Sequence, residues 1–279
     1  MKYIIHLIYM LLISQINFSQ NIFDLEHSDI YADHLFQIKD FDTAVKEYER
    51  LVEMASDSLF YKERLLKSYK LSNQIDNGIK VTEIYFGKQY DEYPTTIMKN
   101  FIELLFLNFD QNFTEQILKR EICLSENELA EFQLAHFILS KQYRKADSLI
   151  LLKNTSFVNA PIKYNELVKL YDTVLNTAYK NSFLASALSA VIPGSGKVYA
   201  NDFHNGAIVF TIISLYSLQS YKSFKIEGIE SVYGWGFGIL AAGFYISNIY
   251  GSYRSTVREN KYLDEQIKKD VLEIIINKN

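Results

Sequence analysis

Residues 32–51 read ADHLFQIKDFDTAVKEYERL, with Ala32, Leu35, Phe41, Ala44, Tyr48 and Leu51 as a spaced set of small and large apolar positions. Three- and four-residue spacing places each half of this set on one face of a helix, and Lys39-Asp40 between the halves is a polar turn. The pattern returns 34 residues later as Leu66, Tyr69, Ile75, Gly78, Thr82 and Tyr85. At three times that interval it returns again as Leu134, Phe137, Tyr143, Ala146 and Ile150. Small residues therefore recur at 44, 78 and 146, each three positions after a large one. A small residue there lets the second helix of a pair approach the first, and the large residues fill the groove between them. The copy that should centre on Asn112 departs from the pattern, although Phe101, Leu105, Phe109 and Phe113 keep it apolar. Either the register slips there or that pair is degenerate.

A 34-residue helix–turn–helix period is that of the tetratricopeptide repeat, and residues 24–160 resemble that family. The resemblance implies an array that binds a protein or peptide along the first helices of its pairs. It points to Asp29, Asp33, Phe36, Glu63 and Lys67 as candidate protein-binding residues. His34 and His136 share one repeat position, which more often reflects packing than a metal site. Pro161 opens a further helix over 161–181, with Leu167, Tyr171, Val174 and Ala178 on one face; proline suits a first helical turn. That segment is expected to cap the array and to tether it to the C-terminal part of the chain.

On the N-terminal side, Met1–Gln20 has one lysine, an apolar core and a polar end, the form of a secretory signal with cleavage near Ser19 or Gln20. On the C-terminal side, 182–253 holds two charge-free runs, Gly206–Tyr221 and Val232–Tyr253. At 1.5 Å per residue the shorter spans about 24 Å, so the pair is expected to form a transmembrane hairpin joined by a loop from Lys222 to Ser231. Gly234, Gly238, Gly243, Ser247 and Gly251 would give the second helix a groove for a close partner, either the first helix or a second copy of the chain. Before the hairpin, 183–192 is apolar but too short to cross. It is expected to be a re-entrant or interfacial helix ended by Pro193-Gly194. Residues 254–279 carry Leu263, Ile267, Val271 and Ile274 on one face, an amphipathic tail expected to pack on protein.

Ser189, Ala190, Pro193, Gly194, Gly196, Tyr199, Gly206 and Ala207 together resemble the start of a two-transmembrane-helix domain of uncharacterised bacterial envelope proteins, of the form S-A-x-x-P-G-x-G-x-x-Y. Asn248–Tyr253 resembles its end. The resemblance implies a bacterial inner-membrane protein. With an exported N-terminus and two crossings, the repeats and C-terminus would face the periplasm.

Some chemistries are poorly supported. Pro-Gly-Ser-Gly-Lys looks like a phosphate-binding loop, but positions 191 and 198 are both Val where Gly and Ser or Thr are needed. Cys123 is the one cysteine, which precludes a disulfide framework. A net charge of −4 gives no reason to expect nucleic acid. No nucleophile–base set and no metal-ligand spacing stand out, so neither catalysis nor a cofactor is expected. The expected chain is all-α: a membrane-anchored interaction scaffold presenting repeats to a periplasmic partner and touching lipid. The alternative is an oligomeric channel or transporter component built from the hairpin.

Overall fold

The computed structural model describes residues 24–120, 122–154 and 161–276. The expected signal over 1–20 lies outside them. Among the described residues the chain is all-helical, with no strand. It divides into two compact units, residues 1–136 and 137–279.

Helices come in pairs. The first is α1 (Leu25–Gln37) with α2 (Phe41–Met54), and the second is α3 (Leu59–Leu71) with α4 (Ile75–Phe86). The third is α5 (Thr95–Asn108) with α6 (Gln111–Leu118), and the fourth is α7 (Glu126–Leu139) with α8 (Tyr143–Asn154). Second helices begin at Phe41, Ile75, Gln111 and Tyr143, so the period runs 34, 36 and 32 residues. The turn inside each pair carries one left-handed non-glycine residue: Lys39, Asn73, Phe109 and Lys141, with φ between 57° and 64°. At Lys39 the next amide, of Asp40, reaches back to the Leu35 carbonyl at 3.0 Å. Gln74 does the same to Tyr69 and Gln142 to Phe137, both at 2.9 Å. These six-to-one bonds satisfy carbonyls that a helix end otherwise leaves bare. The residue after the left-handed one then opens the next helix, and Asp40 and Asp110 cap it by accepting from the amides of Thr43 and Phe113.

The third pair answers the register question. A short 3-10 segment, Tyr90–Glu92, lengthens the connection before it, so the period slips by two residues. The small position is therefore Thr114 and not Asn112: Thr114 is buried and Asn112 exposed. Ala44, Gly78 and Thr114 are the tight points of the first three pairs. At Gly78 a β-carbon would lie 3.0 Å from Leu104 and 3.1 Å from Tyr69. In the first unit the core is built on Tyr48, Tyr69, Leu35, Leu51 and Leu65, followed by a ring cluster of Tyr90, Tyr93, Phe101 and Phe113. A nearly buried ion pair, Lys70 to Glu103, ties α3 to α5.

In the second unit α9 (Ile162–Leu175) begins just after Pro161, as expected. It is followed by α10 (Ser182–Val191), α11 (Ser195–Tyr199), α12 (Phe203–Glu227) and α13 (Val232–Ile276). The second charge-free run and the amphipathic tail are one 45-residue helix, with no break at 253. The Lys222–Ser231 loop is mostly helix as well, and only Gly228–Ser231 forms the connection.

The transmembrane hairpin is not supported. Among the described residues no helix is long and apolar enough to cross a membrane. A run without charge is not by that fact apolar. Thr211, Ser214, Ser217, Gln219 and Ser220 punctuate α12, while α13 carries glycines, Ser247, Asn248 and Ser252. The inner-membrane placement, with repeats and C-terminus turned to the periplasm, rested on those two spans and falls with them. So does the reading of 183–192 as re-entrant or interfacial: α10 packs along α13.

Small polar side chains make that contact. Ser189 Oγ and Ser252 Oγ are 2.6 Å apart, Ser186 Oγ donates to the Ile249 carbonyl at 3.2 Å, and Tyr245 donates to the Ala190 carbonyl at 2.5 Å. The glycines around Pro193 permit the corner. A β-carbon on Gly196 would sit 1.8 Å from the Ala185 carbonyl oxygen, and one on Gly194 (φ 86°) would sit 2.2 Å from that of Gly206. Ser189 Oγ also accepts from the Gly196 amide at 3.0 Å, and the Tyr199 hydroxyl accepts from the Asn181 amide at 3.2 Å. The Ser189–Tyr199 pattern thus describes a folded corner, and Pro-Gly-Ser-Gly-Lys belongs to it.

Gly196→Ala is expected to cost about 3 kcal/mol or more by forcing backbone apart. Gly243→Ala, which meets nothing within 4 Å in mid-helix, should gain about 0.5–1 kcal/mol. Urea denaturation of both variants checks the pair.

Candidate protein-binding groove

α1 and α3 are the first helices of successive pairs, and they border an open groove of about 490 Å³. Asp29, Ile30, Asp33, His34 and Gln37 line it from α1, and Phe60 and Arg64 from α3. Capping fixes both helices. Asp24 accepts from the His27 amide at the start of α1, and Ser58 accepts from the Tyr61 amide at the start of α3. Arg50 of α2 donates to Ser28 Oγ at 2.7 Å and so braces α1 from behind.

The groove's electrostatics are uneven. Arg64 lies over the rings of Phe36 and Phe60, 5.2 and 5.4 Å from their centroids. It also approaches Asp33 at 3.7 Å, and Gln37 donates to the same carboxylate at 2.7 Å. Its charge is therefore engaged within the groove. Asp29, one turn before Asp33, has no ion pair or side-chain hydrogen bond among the described residues. Ile30 and Phe60 stand more than half exposed beside it. The surface thus offers one unspent carboxylate between two apolar side chains.

Tyr48 lies under this surface, wholly buried, its ring edge-on to Phe36. Its hydroxyl has no hydrogen-bond partner. Burial, helped by Asp33 and Asp29 and opposed by Arg64, pushes its pKa up to about 12. Tyr69 is buried in the same core but donates to Glu49. Burial also raises Tyr90 to about 12, reinforced by its bond to Glu83.

Of the five residues expected to bind protein, Asp29 and Asp33 line the groove. Phe36 does not line it, and its ring lies beneath Arg64. Glu63 and Lys67 do not line it and pair with each other at 2.5 Å. Translating Asp29 and Asp33 by 34 residues gives Glu63 and Lys67. The residues of α3 that line the groove are Phe60 and Arg64, each three positions earlier, and of these Arg64 has its counterpart, Ile30, in the groove as well.

In the second unit the glycines of α13 act in packing. Gly234 and Gly238 face α12: a β-carbon at 234 would meet the Phe224 ring at 2.7 Å, and one at 238 would meet Ser220 Oγ at 3.1 Å. Gly243 faces open space, and Gly251 faces the Lys197 side chain. Among the described residues no cluster of three or more metal-ligating side chains occurs. His136 is buried with Glu115 at 3.9 Å, and His34 lies in the groove, so the two do not form a pair of like environments. Compared with protein-family models, with curated proteins and with solved structures, the chain matches none.

Tyr48→Phe removes a buried hydroxyl that bonds nothing, so its stability should be unchanged or up to about 1 kcal/mol higher. Tyr69→Phe strips a bond to a carboxylate and should cost about 1.5–3 kcal/mol. Thermal and urea unfolding distinguish them. Tyrosine is neutral when protonated, and the folded-state pKa values of Tyr48 and Tyr90 exceed the unfolded value near 10. Their contribution is whole below about pH 10 and is lost as pH rises from there toward 12. Stability measured against pH should therefore fall across that window, and absorbance at about 295 nm should show delayed tyrosine ionisation.

Proposed function

We propose that this protein is a protein-interaction module of the helical-repeat type. The α1–α3 groove takes a partner segment in which a lysine or arginine lies beside an apolar side chain. The observation that carries the reading is the unpaired Asp29 carboxylate flanked by exposed Ile30 and Phe60. A cation from the partner would pair with Asp29, while the charges of Asp33 and Arg64, paired with each other, largely cancel. Because Arg64 is already spent on two rings and a carboxylate, it does little to repel that cation. An apolar neighbour would cover Ile30 and Phe60, and its desolvation would strengthen the charge pair. Support for a repeat architecture comes from the paired helices and their near-34-residue period, which are also what makes the first unit tetratricopeptide-like. The role proposed is binding, with no chemical step.

The test is fluorescence anisotropy on the full chain, using about ten-residue peptides that place Lys or Arg next to Leu or Phe. Micromolar binding is expected, weakened at least about tenfold by Asp29→Lys, since one charge pair of about 1.4 kcal/mol corresponds to that factor. Phe60→Ala should weaken binding independently of salt, and the Asp29 contribution should shrink as salt rises. Peptides that bind equally well to wild type and Asp29→Lys, or no binding by any basic peptide, would refute the proposal.

A further inference from the structure

Helix α13 turns one face to α12, and Gly234 and Gly238 are spent on that contact. Another face of the same helix stays open among the described residues. Val232, Ile239 and Ile246 recur on it every seven residues, and so do Gly236, Gly243, Tyr250 and Val257 between and beyond them. Alternating steps of four and three set both rows along one seam, the heptad spacing by which two helices wrap about each other. Its large members are all exposed, from 45% at Val257 to 81% at Val232, and Trp235 beside them is 55% exposed. A β-carbon at Gly236 or Gly243 would meet no atom within 4 Å.

The area is that of an interface. A large apolar side chain left half exposed or more keeps roughly 100–150 Å² in water. Val232, Trp235, Ile239, Ile246, Tyr250 and Val257, with the small residues between them, therefore present about 800 Å², which is what one partner contributes to a standard protein interface. The largest apolar patch of a typical monomer is about 300–600 Å². The glycines point the same way. Glycine is a poor residue for the middle of a helix, and no contact within the chain requires Gly236 or Gly243 to be small. Charge selects the occupant. From Val232 to Tyr253 α13 carries no charged residue, so the face holds nothing for an oppositely charged partner to match. Its alternation of isoleucine knobs and glycine gaps is complementary to itself.

We propose that two copies of this chain pair along the seam, α13 against α13. The interface is isologous, with the same residues contributed by both copies. Ile239 and Ile246 of one copy enter the gaps that Gly236 and Gly243 leave in the other, which brings the two backbones close. The pairing uses the second unit and does not depend on the α1–α3 groove.

The experiment is sedimentation velocity on the full chain without detergent, over about 0.1–100 μM, a range that brackets a micromolar dissociation constant. A reversible dimer is expected. Ile239→Lys and Ile246→Lys should each raise its dissociation constant at least about tenfold, since each change occurs twice in the pair and leaves two apolar contacts unmade. Both side chains are exposed in the single chain, so the helical circular dichroism should not change. Leu215→Lys and Leu218→Lys, also exposed but on α12, should leave the dimer intact. Gly243→Ala should weaken it about threefold or more, although the dilute single chain gains helix stability. A monomer at every concentration would overturn the proposal, and one that floats with phosphatidylcholine vesicles would give the face to lipid instead. A dimer unmoved by both isoleucine variants, or disrupted equally by the two leucine variants, would overturn the assignment of the seam. Equal dissociation constants for wild type and Gly243→Ala would overturn the close approach at the glycines.

Discussion

A single left-handed residue at the end of one helix, followed by a residue that opens the next, is the constraint on which the rest of this structure depends. It occurs at Lys39, Asn73, Phe109 and Lys141, and a fifth time at Asn201 between α11 and α12. The fifth turn repeats the chemistry of the first. Asp202 follows Asn201 as Asp40 follows Lys39, a phenylalanine comes next, and a buried small residue, Gly206 or Ala44, stands three positions beyond. The same backward bond closes it, from the Asp202 amide to the Lys197 carbonyl at 2.8 Å. A left-handed non-glycine residue costs roughly 1–2 kcal/mol, so each turn must be held by the packing of the two helices it joins. Side chains at the small positions set how close those helices come, and that closeness determines which groups become surface.

The candidate groove follows from this. In the first unit, tight pairs leave the first helices α1 and α3 side by side, with Asp29, Ile30 and Phe60 on the rim between them. In the second, the turn at Asn201 and the glycine corner at 194–196 bring Lys197 over the long helix α13 beside Gly251. The two units solve packing with different materials. The first uses tyrosine and leucine around small residues. The second uses a serine and glycine seam in which Ser189 bonds both Ser252 and the Gly196 amide.

Much of the pairing was legible in the sequence. Ala44 and Gly78 marked tight points because a small residue amid large ones at helical spacing has few other uses. The slip in the third pair was hidden, because the 3-10 turn at Tyr90–Glu92 adds two residues without a compositional signature. Thr114, larger than alanine and polar, takes the small position by donating its hydroxyl to the Asp110 carbonyl at 2.7 Å. The membrane reading failed because a lack of charge says nothing of the serines and glycines that α12 and α13 use to meet other helices. Phe60 and Arg64 were missed because the 34-residue translation of Asp29 and Asp33 lands three positions beyond them, at Glu63 and Lys67.

The central claim is that the α1–α3 groove is the surface at which the first unit meets a partner. Backbone amide chemical-shift mapping during titration with a basic, leucine-containing peptide addresses it most directly. The account predicts perturbations confined mainly to residues 29–37 and 60–64. Perturbations that cluster on α2 and α4, or anywhere else while those two segments stay still, would contradict it.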